Sequence, residues 1–167
     1  MWVDANFAGN WNRSDSEDRD TDISTHGYVI MYERCLILHN YQLQTEISLS
    51  STDSEYTGLS YTLRQAITIM RLLRAFKEIG FTSEEPTTKI HCKVYEDKSG
   101  ALEMAKQYKY RPRPKFLNIK LHHFRDYVER GEVTNHKVST HDQRAYYLTK
   151  PLDEVTHNKH RKKVQGW

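Results

Sequence analysis

Apolar positions along residues 50–80, "SSTDSEYTGLSYTLRQAITIMRLLRAFKEIG", recur with a helical period. Leu59, Leu63, Ile67, Met70 and Leu73 fall three or four apart, and Ile69, Leu72 and Phe76 widen the stripe. The spacing predicts one long amphipathic helix, with Gly80 as the natural residue just past its end. Elsewhere the pattern changes. Residues 27–49 are rich in Tyr, Val and Ile and predict two strands and part of a third, in antiparallel order. Their runs "YVIMY" and "LILH" are continuous rather than alternating, which predicts burial. In "KIHCKVYED", 89–97, Ile90, Cys92 and Val94 alternate on one face, a strand signal. "WVDANFAGN" reads as a first strand running into a glycine turn, and "VTNHKVS", 133–139, as a last strand.

Shorter helical patterns fill the rest. "SGALEMAKQ" predicts a short helix, and Leu121, Phe124 and Val128 make a further helical face closed by Gly131. "HDQRAYYLTKPL", 141–152, reads as a last helix with Asp142 as N-cap, Lys150 in the final turn and Pro151 as the stop. Neighbouring residues on a helix do not share a face, so Tyr146 and Tyr147 must point to different surroundings. The stretch 11–25 is acidic and turn-rich, an expected exposed loop; the tail "HNKHRKKVQGW" is basic and expected to fray. No internal repeat is visible. The order of elements predicts a mixed α/β domain over residues 1–152, with an antiparallel start and a parallel continuation, followed by a basic C-terminal tail, 153–167.

Composition narrows the class. With 167 residues the chain is long enough for one domain with a real core. No apolar run approaches the roughly 18 residues of a membrane span, and "MWVDANFAGN" lacks the basic start and apolar block of a signal peptide. The two cysteines, Cys35 and Cys92, have no metal-ligand spacing and read as reduced thiols. These features predict an intracellular protein, cytoplasmic or nuclear. The net charge of +3 hides an asymmetry: residues 1–60 carry three basic and ten acidic side chains, residues 61–167 carry 22 and 12. A pole of each sign suits a protein that holds cations at one place and a polyanion at another; solvated charged faces are the alternative.

Three carboxylates sit at informative places. Asp4 lies in the first strand, Glu55 in the first turns of the long helix, and Asp97 at a strand end. In open α/β sheets, ligands bind at the carboxyl ends of strands. Acids converging there repel unless a cation neutralises them, and hard divalent ions such as Mg²⁺ take oxygen ligands. Each residue also has a purely structural reading: Thr52 and Glu55 match a capping box, Asp97 a turn or cap, and Asp4 a turn cap through Asn6 and Gly9. The window 106–125, "KQYKYRPRPKFLNIKLHHFR", holds seven Lys or Arg and no acid, with Tyr108, Tyr110, Phe116 and Phe124 interleaved. Basic groups contact phosphates and aromatic rings pack on bases or sugars, so the window is a nucleic-acid candidate. A solvated charged face over core aromatics is the alternative.

The segments "VDANFAGN", "GYVIMY", "LQTEISLSSTDSEYTGLS", "VYEDKSGALEMA", "RPRPKFLNIKLHHFRDYV" and "DQRAYYLTKPL" occur in the order seen in one family. Across nearly its whole length the chain resembles the ribonuclease H domain of copia-type retrotransposon Pol polyproteins. The resemblance implies a ribonuclease H-like fold: a five-stranded mixed sheet, first three strands antiparallel, flanked by helices. It implies hydrolysis of the RNA strand of RNA–DNA hybrids by carboxylates holding two Mg²⁺. By motif position the first three carboxylates fall on Asp4, Glu55 within "TDSEY" and Asp97 within "DKSGA". The fourth position, within "DQRAYYLTK", is Tyr146.

A tyrosine cannot supply an aspartate's charge, and its ring needs more room. The second ion is therefore expected to bind weakly or not at all. Asn6 and Phe116 depart from the family pattern as well. Ser51, Thr52 and Ser99 lie at motif positions near the substrate groove by resemblance, with Arg111, Arg113 and Lys115 as phosphate ligands. The implied partner is an RNA–DNA hybrid, with no membrane. The reverse transcriptase domain that normally shares the polyprotein is absent from this chain. Two functions remain open: an impaired Mg²⁺-dependent ribonuclease H, and a catalytically inactive nucleic-acid-binding remnant or domesticated fragment.

Overall fold

A computed structural model describes residues 1–15, 17–81, 89–98 and 126–166. Five strands form one sheet: β1 (Trp2–Asn6), β2 (Thr25–Tyr32), β3 (Cys35–Leu43), β4 (Cys92–Glu96) and β5 (Val133–Lys137). Their order across the sheet is β3-β2-β1-β4-β5. β1, β2 and β3 pair antiparallel, whereas β1–β4 and β4–β5 pair parallel. This is the mixed α/β architecture expected from the sequence, and it has the strand arrangement of a ribonuclease H-like fold. Helices α1 (Arg19–Asp22), α2 (Ser51–Glu78), α3 (Tyr146–Thr149) and α4 (Glu154–Gln165) complete the labelled elements.

α2 is long because its signals agree. Ser50 caps it by accepting from the Asp53 N–H, and Asp53 reaches back to the Leu49 N–H. At the far end Gly80 adopts φ 84°, Phe81 N–H bonds the Phe76 carbonyl, and Gly80 N–H bonds that of Lys77. That pattern is a Schellman motif, closed by Phe76 and Phe81 with ring centroids 6.1 Å apart. The buried face of α2, with Leu59, Leu63, Ile67 and Met70, packs on Val3, Tyr28, Ile30, Val94 and Val133 of the sheet. The opposite face of the sheet carries a smaller cluster of Val29, Ala145 and Val164, joined by partly buried Tyr147 and Leu148. Tyr28 and Val29 therefore face different cores, which is why the continuous run in β2 is buried.

Three expectations are corrected. β3 is the edge strand and alternates exposed and half-exposed, so "LILH" is not a buried run. Residues 27–49 supply two strands and no part of a third; the outer partner of β2 is β1. The segment read as a frayed tail forms α4, capped by Asp153 at its start, ended by Gly166 at φ 82°, and docked through buried His160 and Val164. The short helix expected at "SGALEMAKQ" lies outside the described residues, as do Leu121 and Phe124. Residues 126–129 are helical, and Gly131 at φ 69° ends that turn as anticipated.

Candidate metal centre

Because β1 and β4 are parallel, their carboxyl ends share one edge of the sheet, and α2 begins at the same edge. This brings Asp4, Glu55 and Asp97 together: one carboxylate oxygen from each lies within 4.8 Å of the others. Asp4 and Glu55 are fully buried and Asp97 is half-buried. The structural readings of Glu55 and Asp4 do not hold. The capping box at the start of α2 is made by Ser50 and Asp53, leaving Glu55 to point inward. Asp4 bonds Thr149 and Lys150 rather than a local turn.

Electrostatics make the cluster costly without a cation. Burial, then the nearby Asp4, push the Glu55 carboxyl up to about 8, against the opposing pull of Lys98. Burial also raises Asp4, opposed by Lys150 and the Thr149 hydroxyl. Two lysines partly neutralise the group. Lys98 Nζ lies 3.2 Å from Glu55 Oε1, at ion-pair distance but without hydrogen-bond alignment. Lys150 Nζ lies 3.5 Å from Asp4 Oδ1. The second Asp4 oxygen accepts from the Thr149 hydroxyl. Asp97 accepts from Thr140 Oγ1 at 3.1 Å. Glu55 Oε2 has no hydrogen-bond partner among the described residues. Three oxygen donors converge from β1, α2 and the residue just past β4, and Glu55 and Asp97 each keep a carboxylate oxygen without a hydrogen-bond partner among the described residues; this set fits a hard divalent cation.

One acid escaped the sequence reading. Glu96 is fully buried and its carboxyl is raised well above the ordinary range, by burial and then by Glu55. Its Oε1 accepts the Lys98 N–H at 3.2 Å. The signal was present in the strand alternation, because Glu96 continues the face of Cys92 and Val94. Lys98, Thr149 and Lys150 were also missed as neighbours of the acids.

Around the fourth position the structure separates the two tyrosines. Tyr147 is half-buried against the smaller core cluster, edge-on to His157 at 5.8 Å. The Tyr146 ring sits 5.8 Å from the His160 ring on one side, and Lys150 Nζ stands 4.4 Å from its centroid. Tyr146 thus borders the acids through a shared lysine. Asp142 is not an N-cap here: it is exposed, accepting from Ser139 at 2.9 Å and pairing with Lys163 at 2.7 Å. The helix starts instead at Tyr146, behind Ala145. Ser51 and Thr52 occupy the first turn of α2, half-buried, one turn from Glu55. Ser99, Arg111, Arg113 and Lys115 lie outside the described residues.

α3 reaches Asp4 because β2 makes room for it. Gly27 pairs with Asp4 across the sheet, and a Cβ there would stand 2.9 Å from Leu148 Cβ and 3.0 Å from Thr149 Cγ2. Asn6 strengthens the contact by donating to the Thr149 carbonyl at 3.2 Å.

No family model matches the chain. It is 30% identical over 163 residues, 98% of its length, to the "Retrovirus-related Pol polyprotein from transposon RE2" of Arabidopsis thaliana. It is 30% identical over 154 residues to the corresponding polyprotein from transposon RE1 of the same plant, covering 92% of this chain. A third relative, the polyprotein from transposon TNT 1-94 of Nicotiana tabacum, is 28% identical over 149 residues, or 89% of this chain. The chain spans about a tenth of each relative, between 9% and 10%. Over most of its length, then, this chain is homologous to retrotransposon Pol polyproteins.

Proposed function

We propose that the chain is a ribonuclease H-like domain of copia type that hydrolyses the RNA strand of RNA–DNA hybrids, with activity reduced by Tyr146. The observation that carries this reading is the convergence of Asp4, Glu55 and Asp97 within 4.8 Å at the carboxyl edge of the sheet. Asp4, Glu55 and Asp97 would hold Mg²⁺, whose chemistry when bound is to activate water and stabilise the leaving oxygen. The chain's own residues prepare the site. Thr149 orients one oxygen of Asp4, and burial keeps competing water away from Asp4 and Glu55. Lys98 and Lys150 place positive charge against Glu55 and Asp4 and so offset part of the repulsion among the acids. Ser51, Thr52 and Ser99 would face the hybrid, where 2′-hydroxyls distinguish RNA from DNA. Arg111, Arg113 and Lys115 would hold its phosphates.

The second reading, an inactive nucleic-acid-binding remnant, is favoured by one observation: a lysine stands against Asp4, and the ring at the position where the resemblance puts a fourth carboxylate packs on that lysine. A cleavage assay on a labelled RNA–DNA hybrid, with Mg²⁺ and then Mn²⁺, separates the two. The enzyme reading expects slow cleavage that disappears in Asp4→Asn and rises tenfold or more in Tyr146→Asp. No cleavage with either ion, in the wild type and in Tyr146→Asp alike, selects the remnant.

A further inference from the structure

Lys150 meets an aromatic ring as well as an acid. It follows α3 directly, and α3 is pinned to β1 by the Thr149 hydroxyl on Asp4 and by Asn6 on the Thr149 carbonyl. Lys150 leaves the helix with extended backbone, and this turns its ammonium back over the Tyr146 ring. The ammonium ends between an anion and an aromatic face, 3.5 Å from Asp4 Oδ1 and 4.4 Å from the Tyr146 centroid. Both contacts stabilise a cation. Lys98 differs: it pairs with Glu55, and its side chain is 39% exposed against 27% for Lys150.

We propose that the Lys150 ammonium, held between Asp4 and the Tyr146 ring, takes the place of a second metal ion, so that the site carries one divalent ion and one lysine. The inference rests on the metal reading given above. Charge supports it. Asp4, Glu55 and Asp97 bring three negative charges when ionised. With Lys98 on Glu55 also counted, one divalent ion and Lys150 exceed the three acids by one charge, whereas a second divalent ion in place of Lys150 exceeds them by two. An aspartate in place of Tyr146 would add a fourth charge and remove the ring, which lowers the excess left by a second ion and takes away one of the two contacts on the lysine.

The test counts Mn²⁺ bound per full-length chain, from the electron paramagnetic resonance signal of free Mn²⁺. The wild type should bind one ion. Tyr146→Asp combined with Lys150→Met should bind two, and Lys98→Met should tighten the first ion while the count stays at one. Lys150→Met alone, which leaves Tyr146 against His160, should bind a second ion at least tenfold more tightly than the wild type does. It serves as the readout if the double variant does not fold. Two ions in the wild type, or no gain in folded Lys150→Met and double variants, overturns the role of Lys150 and leaves the metal site standing. No ion in any variant overturns both.

Discussion

His26 shows how a single buried base sets a dependence on pH. It is 2% exposed, packed 4.9 Å from the Tyr61 ring, with Nε2 3.3 Å from the Gln42 amide nitrogen. Burial, and then the charge of Arg64, lower its pKa from 6.5 to about 4. The unfolded chain therefore takes up a proton below pH 6.5 that the folded chain refuses until about pH 4. Stability from this residue is fully present above pH 6.5 and is lost as the pH falls through that window, by up to about 3 kcal/mol. Urea denaturation at pH 7 and pH 4.5 should show a smaller loss for His26→Gln than for the wild type. Equal losses in the two proteins would place the acid sensitivity elsewhere, for instance in Lys150 releasing Asp4 as that carboxyl is protonated.

At the scale of elements, the contact between β2 and α3 decides whether Thr149 reaches Asp4. Gly27→Ala inserts a methyl against Leu148 Cβ and Thr149 Cγ2, neither of which is the free end of a long side chain. Thermal or urea unfolding should register a loss of about 1–3 kcal/mol, the usual cost of overpacking. An unchanged midpoint would mean that α3 moves away without cost. What the sequence made legible follows from where the signals come from. α2 could be read because period, N-cap and C-terminal glycine all act locally. The alternation of Ile90, Cys92 and Val94 likewise reported its own strand and, carried two residues further, Glu96. β3 could not be read as an edge, because its exposure depends on the absence of a neighbouring strand rather than on its own residues. α4 was missed because only His160 and Val164 of its twelve residues are buried, too few to raise a periodic signal among so many lysines. Asp142 looked like a cap, but Gln143 is buried and donates to the Val3 carbonyl at 2.7 Å. That long-range bond breaks the local helix, and no pattern within 141–152 announces it. The three acids were legible as motif positions, while Lys150 against Asp4 depended on contacts across 146 residues.

The whole molecule carries its charge in two parts, acidic in residues 1–60 and basic beyond. If the basic window 106–125 holds the hybrid, its contribution is a release of counterions, with a slope of roughly −0.9 in log K against log salt per phosphate contacted. Replacing Arg111, Arg113 and Lys115 with Ala should flatten that slope by up to about 3 in a binding titration with Asp4→Asn protein and hybrid. An unchanged slope would move the binding surface to another face. One further consequence comes from the order in which the chain is made. Asp4, Glu55 and Asp97 are all present once residue 97 has emerged, whereas the Thr149 and Lys150 contacts to Asp4 close loops spanning 145 and 146 residues. Contacts of such separation form late, because the chain entropy lost in closing them is repaid only when the rest is in place. A nascent chain therefore possesses its three acids before the lysine that balances Asp4, and ions in the surrounding solution meet them first.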